Sequence, residues 1–121
     1  MDNTNTIGHK CEEIAKNYLL DEGYEILEKN WRYSRAEIDI IAKKNNCLIF
    51  IEVKARNSLY YGLPEEMVDE QKQHLLFGAA QRYMEKINYD WEIRFDIISI
   101  HLIEVTEYKN YDLKHLKDVF Y

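Results

Sequence analysis

The sequence from Glu37 to Lys54 reads EIDIIAKKNNCLIFIEVK, in which two β-branched, apolar segments flank four polar residues. Such segments favour β-strands, and asparagine tolerates the positive φ that tight hairpin turns require. The stretch therefore predicts an antiparallel hairpin with a two-residue turn at Asn45 and Asn46.

Charged side chains interrupt both strands of this hairpin. Counting outward from the turn, Glu52 faces Asp39 and Lys54 faces Glu37. Opposed side chains have Cβ atoms about 4.5–5.5 Å apart, and like charges there destabilise a sheet unless a cation or a proton lies between them. A hard divalent cation such as Mg²⁺ prefers oxygen ligands. The register therefore predicts a metal site at Asp39 and Glu52, with the Lys54 ammonium in reach of the same pocket.

A plainer alternative treats these charges as residues of a half-exposed strand. Glu37 and Lys54 would then form a surface ion pair, which contributes little to stability. The apolar neighbours argue that both faces are largely buried, which favours the metal site and leaves the surface pair as the alternative.

The flanking sequence predicts the remaining elements of one domain that spans residues 1–121. Apolar spacing and turn residues indicate a first helix, a strand before the hairpin, a long helix, a further strand and a short C-terminal helix. Their ranges are Ile7–Glu22, Tyr24–Trp31, Glu65–Lys86, Trp91–Ile100 and, for the last helix, residues within 112–121. The order α-β-β-β-α-β predicts an α/β fold with a mixed sheet, because a strand–helix–strand crossover makes its two strands parallel.

Two helical residues are further candidates. Glu12 lies at the border of the apolar stripe of the first helix, where a glutamate is commonly just a solvated edge. Lys72 falls near the middle of the stripe of the second helix, where a lysine either extends to the rim or points into a polar pocket. Spacing alone leaves both alternatives open.

Composition excludes several classes. No run of 18 apolar residues exists, so no transmembrane helix is expected, and no secretory signal is expected because residues 1–6 are polar. Cys11 and Cys47 lie far apart without a CxxC partner, which is typical of reduced, packed thiols in a cytoplasmic protein.

The net charge of −6 argues against a generic phosphate-backbone binder. The charge is unevenly distributed, however. Seven basic and three acidic residues lie between Lys29 and Arg56, whereas seven basic and twelve acidic residues follow from Asn57 onward. A nucleic-acid partner would therefore meet one basic face of an otherwise acidic protein, and weak, salt-sensitive binding is expected.

The chain resembles the YraN-like family of small bacterial proteins, which is expected to adopt the restriction-endonuclease-like PD-(D/E)xK fold. The resemblance covers nearly the whole chain. Its ordered motifs are Gly8-x-x-x-Glu12, Gly23-Tyr24-x-Ile26-Leu27, Asn30-x-Arg32, Glu37-Ile38-Asp39-Ile40-Ile41-Ala42, Phe50-Ile51-Glu52-Val53-Lys54-x-Arg56, Gly62-x-Pro64-Glu65, Lys72, Arg94-Phe95-Asp96 and His115-Leu116-Lys117.

The resemblance implies roles for individual residues. In PD-(D/E)xK enzymes an aspartate and the glutamate of Glu-x-Lys hold one or two Mg²⁺ or Mn²⁺ ions, and the lysine activates or positions the attacking water. Those roles fall on Asp39, Glu52 and Lys54. Glu12 resembles the extra carboxylate of Holliday-junction resolvases, as a catalytic residue and third metal ligand. The expected phosphate contacts are Arg32, Arg35, Arg56 and Lys72.

The expected function is metal-dependent hydrolysis of nucleic acid, with DNA, including branched DNA, favoured. The alternative is a nuclease-fold protein without turnover that binds nucleic acid or a protein partner, including a second copy of itself. Tyr60-Tyr61, Trp91 and Phe120-Tyr121 are its candidate apolar surface. A third reading gives the charges no role beyond ordinary surface pairs.

Overall fold

The computed structural model describes residues 3–57, 69–103 and 110–120. Within them the chain forms a five-stranded sheet with a helix on each face. The elements are α1 (Asn3–Asp21), β1 (Glu25–Tyr33), β2 (Ala36–Lys44), β3 (Cys47–Asn57), α2 (Glu70–Lys86), β4 (Glu92–Leu102) and β5 (Tyr111–Leu116). The spatial order is β1-β2-β3-β4-β5, with β3 and β4 parallel and the other neighbours antiparallel. The predicted α/β fold with a mixed sheet is confirmed, and it is compatible with a restriction-endonuclease-like core.

The central hairpin has the predicted turn. Asn45 and Asn46 adopt φ of 51° and 62°, and the β2–β3 ladder runs from the pair Lys44–Cys47 to the pair Ile40–Ile51. The ladder ends there, short of Asp39 and Glu52. The hairpin register is therefore confirmed, but the predicted continuation of the ladder to Asp39–Glu52 and Glu37–Lys54 is wrong. Glu37 instead contacts Arg32 of β1, with 2.9 Å between Oε2 and Nε.

Each helix covers its own hydrophobic core. Cys11, Ala15 and Leu19 of α1 pack on one face of the sheet, against residues such as Ile49 and Ile51. On the other face α2 contributes its buried residues Leu76, Ala79, Ala80 and Tyr83. Burying one such isoleucine or leucine side chain contributes about 1.5–3 kcal/mol. Both cysteines are free and buried, as predicted.

The predicted C-terminal helix is wrong, because Tyr111–Leu116 forms β5 instead. Without β5, β4 would be left with a row of unpaired backbone groups, and the antiparallel ladder from Ile97–Leu116 to Leu102–Tyr111 satisfies them. Successive strand residues face opposite sides, so Leu113 packs on the α1 core and Leu116 on the α2 core. Leu113 and Leu116 are three residues apart because each packs on a different core. The same spacing is typical of a helix, which is why the sequence predicts one here.

The helix boundaries differ from the predicted ones at their starts. α1 begins at Asn3 rather than Ile7, and its end at Asp21 is followed by Gly23 with φ of 89°. α2 begins at Glu70 rather than Glu65, because the Asp69 side chain accepts a hydrogen bond from the Lys72 amide (2.8 Å) and caps the helix there. No helix in the described part of the chain is long and apolar enough to cross a membrane.

Candidate metal and nucleic-acid site

A buried carboxylate lies between β3 and α2. The side chain of Glu52 is 7% exposed, and its Oε2 lies 3.0 Å from Lys72 Nζ and 3.6 Å from Lys54 Nζ. Lys72 comes from α2, whereas Lys54 follows Glu52 by two residues on the same face of β3. The structure therefore brings together three of the residues predicted for the site, and it places Lys72 in a polar pocket rather than at an apolar rim.

Asp39 is the fourth residue of this group. Its Oδ2 accepts a hydrogen bond of 2.8 Å from the amide of Val53, just past the last pair of the β2–β3 ladder. Burial and the negative charge of Glu52 raise the pKa of Asp39 to about 8, and Glu12 and Glu37 add to the repulsion. The two carboxylates repel each other as the sequence predicted, through their side chains rather than through a ladder pair.

The two lysines differ in their electrostatic environment. Burial lowers the pKa of Lys54, and the adjacent Lys72 ammonium lowers it further. Burial also opposes the charge of Lys72, but the attraction of Glu52 outweighs it and raises the pKa of Lys72 overall. Lys72 is therefore the persistent counter-ion of Glu52, and Lys54 is the lysine that gives up its proton more readily.

Glu12 is held by a residue that the sequence reasoning did not select. The side-chain amide of Asn30 in β1 donates a hydrogen bond of 3.0 Å to Glu12 Oε1. Asn30 has a φ of 53° and lies between the ladder pairs Lys29–Ile40 and Trp31–Ile38. An asparagine amid strand residues is disfavoured, and that is the signal that could have identified it.

The regular alternation of side chains between the two faces of the sheet is interrupted at Asn30 in β1 and at Asp39 in β2. Ile40 packs on the α1 core, whereas Ile38 and its ladder partner Trp31 both pack on the α2 core. Strict alternation would put Ile38 and Ile40 on the same face. The left-handed conformation of Asn30 thus coincides with the point at which Asp39 is turned toward Glu52.

Replacement of Asn30 tests whether its left-handed backbone holds this geometry. Asn30→Gly is expected to stay within about 1 kcal/mol of wild type, because glycine adopts positive φ freely. Asn30→Ala is expected to be less stable than Asn30→Gly by about 1–2 kcal/mol, because its Cβ is strained there. Urea unfolding followed by circular dichroism measures both. Equal stability of the alanine and glycine variants would contradict the assigned strain.

The residues fit a magnesium ion only in part. Within the described ranges, no three His, Cys, Asp or Glu side chains form a cluster that could hold a metal, so Glu12 does not join Asp39 and Glu52 as a third ligand. Mg²⁺ is usually bound by one or two carboxylates and completes its shell with water and substrate phosphates. Asp39 and Glu52 are therefore a sufficient pair of donors, provided that Lys72 moves from Glu52.

Of the four residues predicted to contact phosphate, two line the same cleft. Arg35 and Lys72 line one cleft of about 330 Å³ together with Glu37 and Gln71. Arg32 is exposed beside this cleft through its ion pair with Glu37. Arg56 lies further along β3, opposite His101 of β4, and does not line the cleft.

A second polar network lies on the α1 face, where sequence reasoning assigned no function. The fully buried Asp96 carboxylate accepts two bonds of 2.8 Å from Arg94, from Nε and from Nη2. His115 Nε2 lies 2.7 Å from Asp96 Oδ2, and the Tyr18 hydroxyl lies 2.9 Å from His115 Nδ1. The amide of Asp118 donates to the same carboxylate at 3.0 Å. This network fastens β5 to β4 and α1.

Comparison with known proteins gives consistent matches. The model of the uncharacterised protein family UPF0102 matches residues 11–100. A UPF0102 protein of Flavobacterium psychrophilum is 41% identical over 97% of this chain and 95% of its own length. One of Chlorobium phaeobacteroides is 44% identical over 94% and 92%, and one of Caldanaerobacter subterraneus is 45% identical over 83% of each chain.

The matched span contains Glu12, Asn30, Asp39, Glu52, Lys54 and Lys72, so the site lies inside the shared region. The family is the one described as YraN-like above, and the expected resemblance is confirmed. The chain belongs to the uncharacterised protein family UPF0102.

Proposed function

We propose that this protein is a metal-dependent phosphodiesterase that acts on nucleic acid, with DNA as the favoured substrate and the cytoplasm as its location. The observation that carries the proposal is a pair of repelling carboxylates, the buried Glu52 and the half-buried Asp39, with Lys54 beside them. Lys72 and Lys54 contact Glu52, but the pKa of Asp39 remains raised, so a divalent cation shared by both carboxylates is a chemically natural partner.

Asp39 and Glu52 would hold the ion, Mg²⁺ or Mn²⁺. When bound, the ion lowers the pKa of a coordinated water and neutralises charge on the scissile phosphate. Lys54, whose pKa burial and Lys72 lower, is placed to accept a proton from the attacking water or to orient it. Glu12, fixed by Asn30, adds negative charge near Asp39 without forming a third ligand.

Phosphate binding falls to the cleft that adjoins this site. With a cation held by Glu52, the Lys72 ammonium would be available to a phosphate oxygen in the cleft that it shares with Arg35. Arg32 extends the positive rim, and its contact with Glu37 is exposed and easily exchanged.

The direct test is cleavage of a panel of linear, flapped and branched DNA, with RNA controls, in Mg²⁺ or Mn²⁺. Glu52→Gln is expected to reduce the rate by more than about 100-fold, beyond the 10–100-fold effect typical of residues that only support a metal ligand. Glu85→Gln on the exposed side of α2 is the matched control and should retain the wild-type rate. Cleavage that persists in Glu52→Gln would contradict the proposal.

A second candidate is a nuclease-fold protein that binds nucleic acid or a partner without turnover. It is favoured by the Lys72 ammonium 3.0 Å from Glu52 Oε2, which supplies a cation without a metal. Of its proposed apolar surface, Phe120 is buried in the α2 core and is excluded, Trp91 is exposed, and Tyr60, Tyr61 and Tyr121 lie outside the described residues. No cleavage of any substrate, with oligonucleotide binding retained, would favour this candidate.

A further inference from the structure

An exposed aromatic surface lies at the hairpin-turn end of the sheet, where β3 begins five residues before Glu52. Trp91 is 79% exposed, although tryptophan is on average one of the more buried residue types. It lines a cleft of about 680 Å³ with Tyr89, Lys43 and the asparagines of the hairpin turn. We refer to Lys43, Asn45, Asn46, Asn88, Tyr89, Trp91 and Glu92 as the hairpin-end surface.

This surface has a rigid base. The Tyr89 hydroxyl lies 3.0 Å from the carbonyl oxygen of Asn46 and 2.6 Å from that of Glu92. The first contact joins the segment before β4 to the hairpin turn, and the second joins the residues that flank Trp91 in the sequence. The indole is therefore presented to solvent from a fixed backbone.

The groups around the indole suit an unpaired nucleotide. Lys43 Nζ lies 5.9 Å from the centre of the Tyr89 ring, which places a positive charge beside the aromatic surface. The neighbouring cleft of about 590 Å³ shares Asn45 and Glu92 with the first and adds three basic residues, Lys44, Arg94 and Lys117, and the acidic Asp118. Aromatic faces next to lysines are the combination by which proteins bind single strands, with bases stacked on the rings and phosphates held by the ammoniums.

We propose that the hairpin-end surface binds single-stranded nucleic acid, with a base stacked on Trp91 and a phosphate on Lys43. In a duplex the bases stack on one another, so an indole platform selects an unpaired segment. The inference rests on the proposed function and deepens it, because it assigns a substrate class that carries a single-stranded arm.

The distance between the two regions is compatible with one substrate. Cys47 pairs with Glu92 at the start of the parallel ladder, and Glu52 pairs with Ile97 five residues later. At about 3.3 Å per residue, the hairpin end and the carboxylate site are separated by roughly 17 Å along β3. A strand of a few nucleotides spans that separation.

The test measures binding of single-stranded oligothymidylate without metal, in EDTA and low salt, so that cleavage plays no part. The chain has two tryptophans, and Trp31 packs in the interior against Tyr83. A Trp31→Phe background therefore makes Trp91 the sole tryptophan emitter. Oligothymidylate is expected to quench its fluorescence, and Trp91→Ala in the wild-type background is expected to weaken binding measured by anisotropy of labelled oligonucleotide at least about fivefold.

Tyr111→Ala removes an exposed aromatic ring from β5 and should leave the affinity unchanged. Equal affinity of wild type and Trp91→Ala for oligothymidylate would overturn the proposal. It would also be overturned if oligothymidylate did not quench the Trp91 fluorescence, or if wild type bound a DNA duplex as tightly as the single strand. Loss of self-association in Trp91→Ala by light scattering, with oligonucleotide affinity unchanged, would assign the surface to a second copy instead. Failure here leaves metal binding at Asp39 and Glu52 intact, which separates it from failure of the proposed function.

Discussion

Asp39→Asn is expected to stabilise the metal-free protein at pH 8 by about 2–5 kcal/mol, while weakening its binding of a divalent cation at least about 100-fold. The reason is the pKa of Asp39, which burial and Glu52 raise to about 8. Wild type must either hold a proton on this carboxyl or keep a buried charge beside Glu52. Asparagine has nearly the same shape and carries no charge.

The sign of the pH dependence follows from the same shift. Between the ordinary aspartate pKa near 3.9 and about 8, folded Asp39 holds a proton that the unfolded chain releases. Stability of wild type therefore falls as pH rises through this range, and Asp39→Asn should lose that part of the slope. The charged groups that interact with Asp39 are the carboxylates of Glu52, Glu12 and Glu37 and the ammoniums of Lys54 and Lys72.

Urea unfolding in EDTA at several pH values between 4 and 9, roughly the range of the shift, measures the effect. Asp112→Asn on β5 removes an exposed carboxylate and serves as the control, with a slope like that of wild type. If the free energies of unfolding of wild type and Asp39→Asn change in parallel with pH, the pKa of Asp39 is not raised by burial and by Glu52.

The second large effect is expected at Asp96. Asp96→Ala removes the acceptor for the Arg94 guanidinium, His115 and the Asp118 amide at once. Breaking a buried ion pair by deleting one partner costs about 3–5 kcal/mol, because the remaining charge is left buried without compensation. For a domain of this size, that is a large part of a typical free energy of unfolding.

Urea unfolding of Asp96→Ala is compared with that of Glu85→Ala. Glu85 also pairs with an arginine, Arg82, but both side chains are largely exposed and their closest atoms are 3.7 Å apart. Its loss should cost less than about 1 kcal/mol. Similar losses in the free energy of unfolding of the two variants would mean that the hydrogen bonds and ion pairs of Asp96 do not stabilise the packing of β5.

The hairpin was predictable because its information is local. Positive φ at Asn45 and Asn46 follows from asparagine in a two-residue turn, and the turn fixes which residues oppose each other. Glu52 and Lys54 come close together because residues two positions apart in a strand lie on the same face of the sheet. Lys72 could be placed on the buried stripe of its helix, although only the structure shows that it points at Glu52.

The errors came from long-range interactions. The sequence of β5 predicts a helix because the spacing of Leu113 and Leu116 suits either element, and the need of β4 for an edge partner does not show in the local sequence. The role of Asn30 does not show in the local sequence, because it depends on a contact with Glu12, which lies eighteen positions earlier. The end of the ladder at Ile40–Ile51 likewise reflects the Asp39 side chain capturing the Val53 amide.

The most direct test of the central claim is calorimetric titration of Mn²⁺ or Mg²⁺ into wild type, Asp39→Asn and Glu85→Gln. Wild type and Glu85→Gln are expected to bind the ion with the same affinity. Asp39→Asn should bind it at least about 100-fold more weakly, because one of only two carboxylate donors is lost. Equal affinity of all three proteins would contradict a metal site at Asp39 and Glu52.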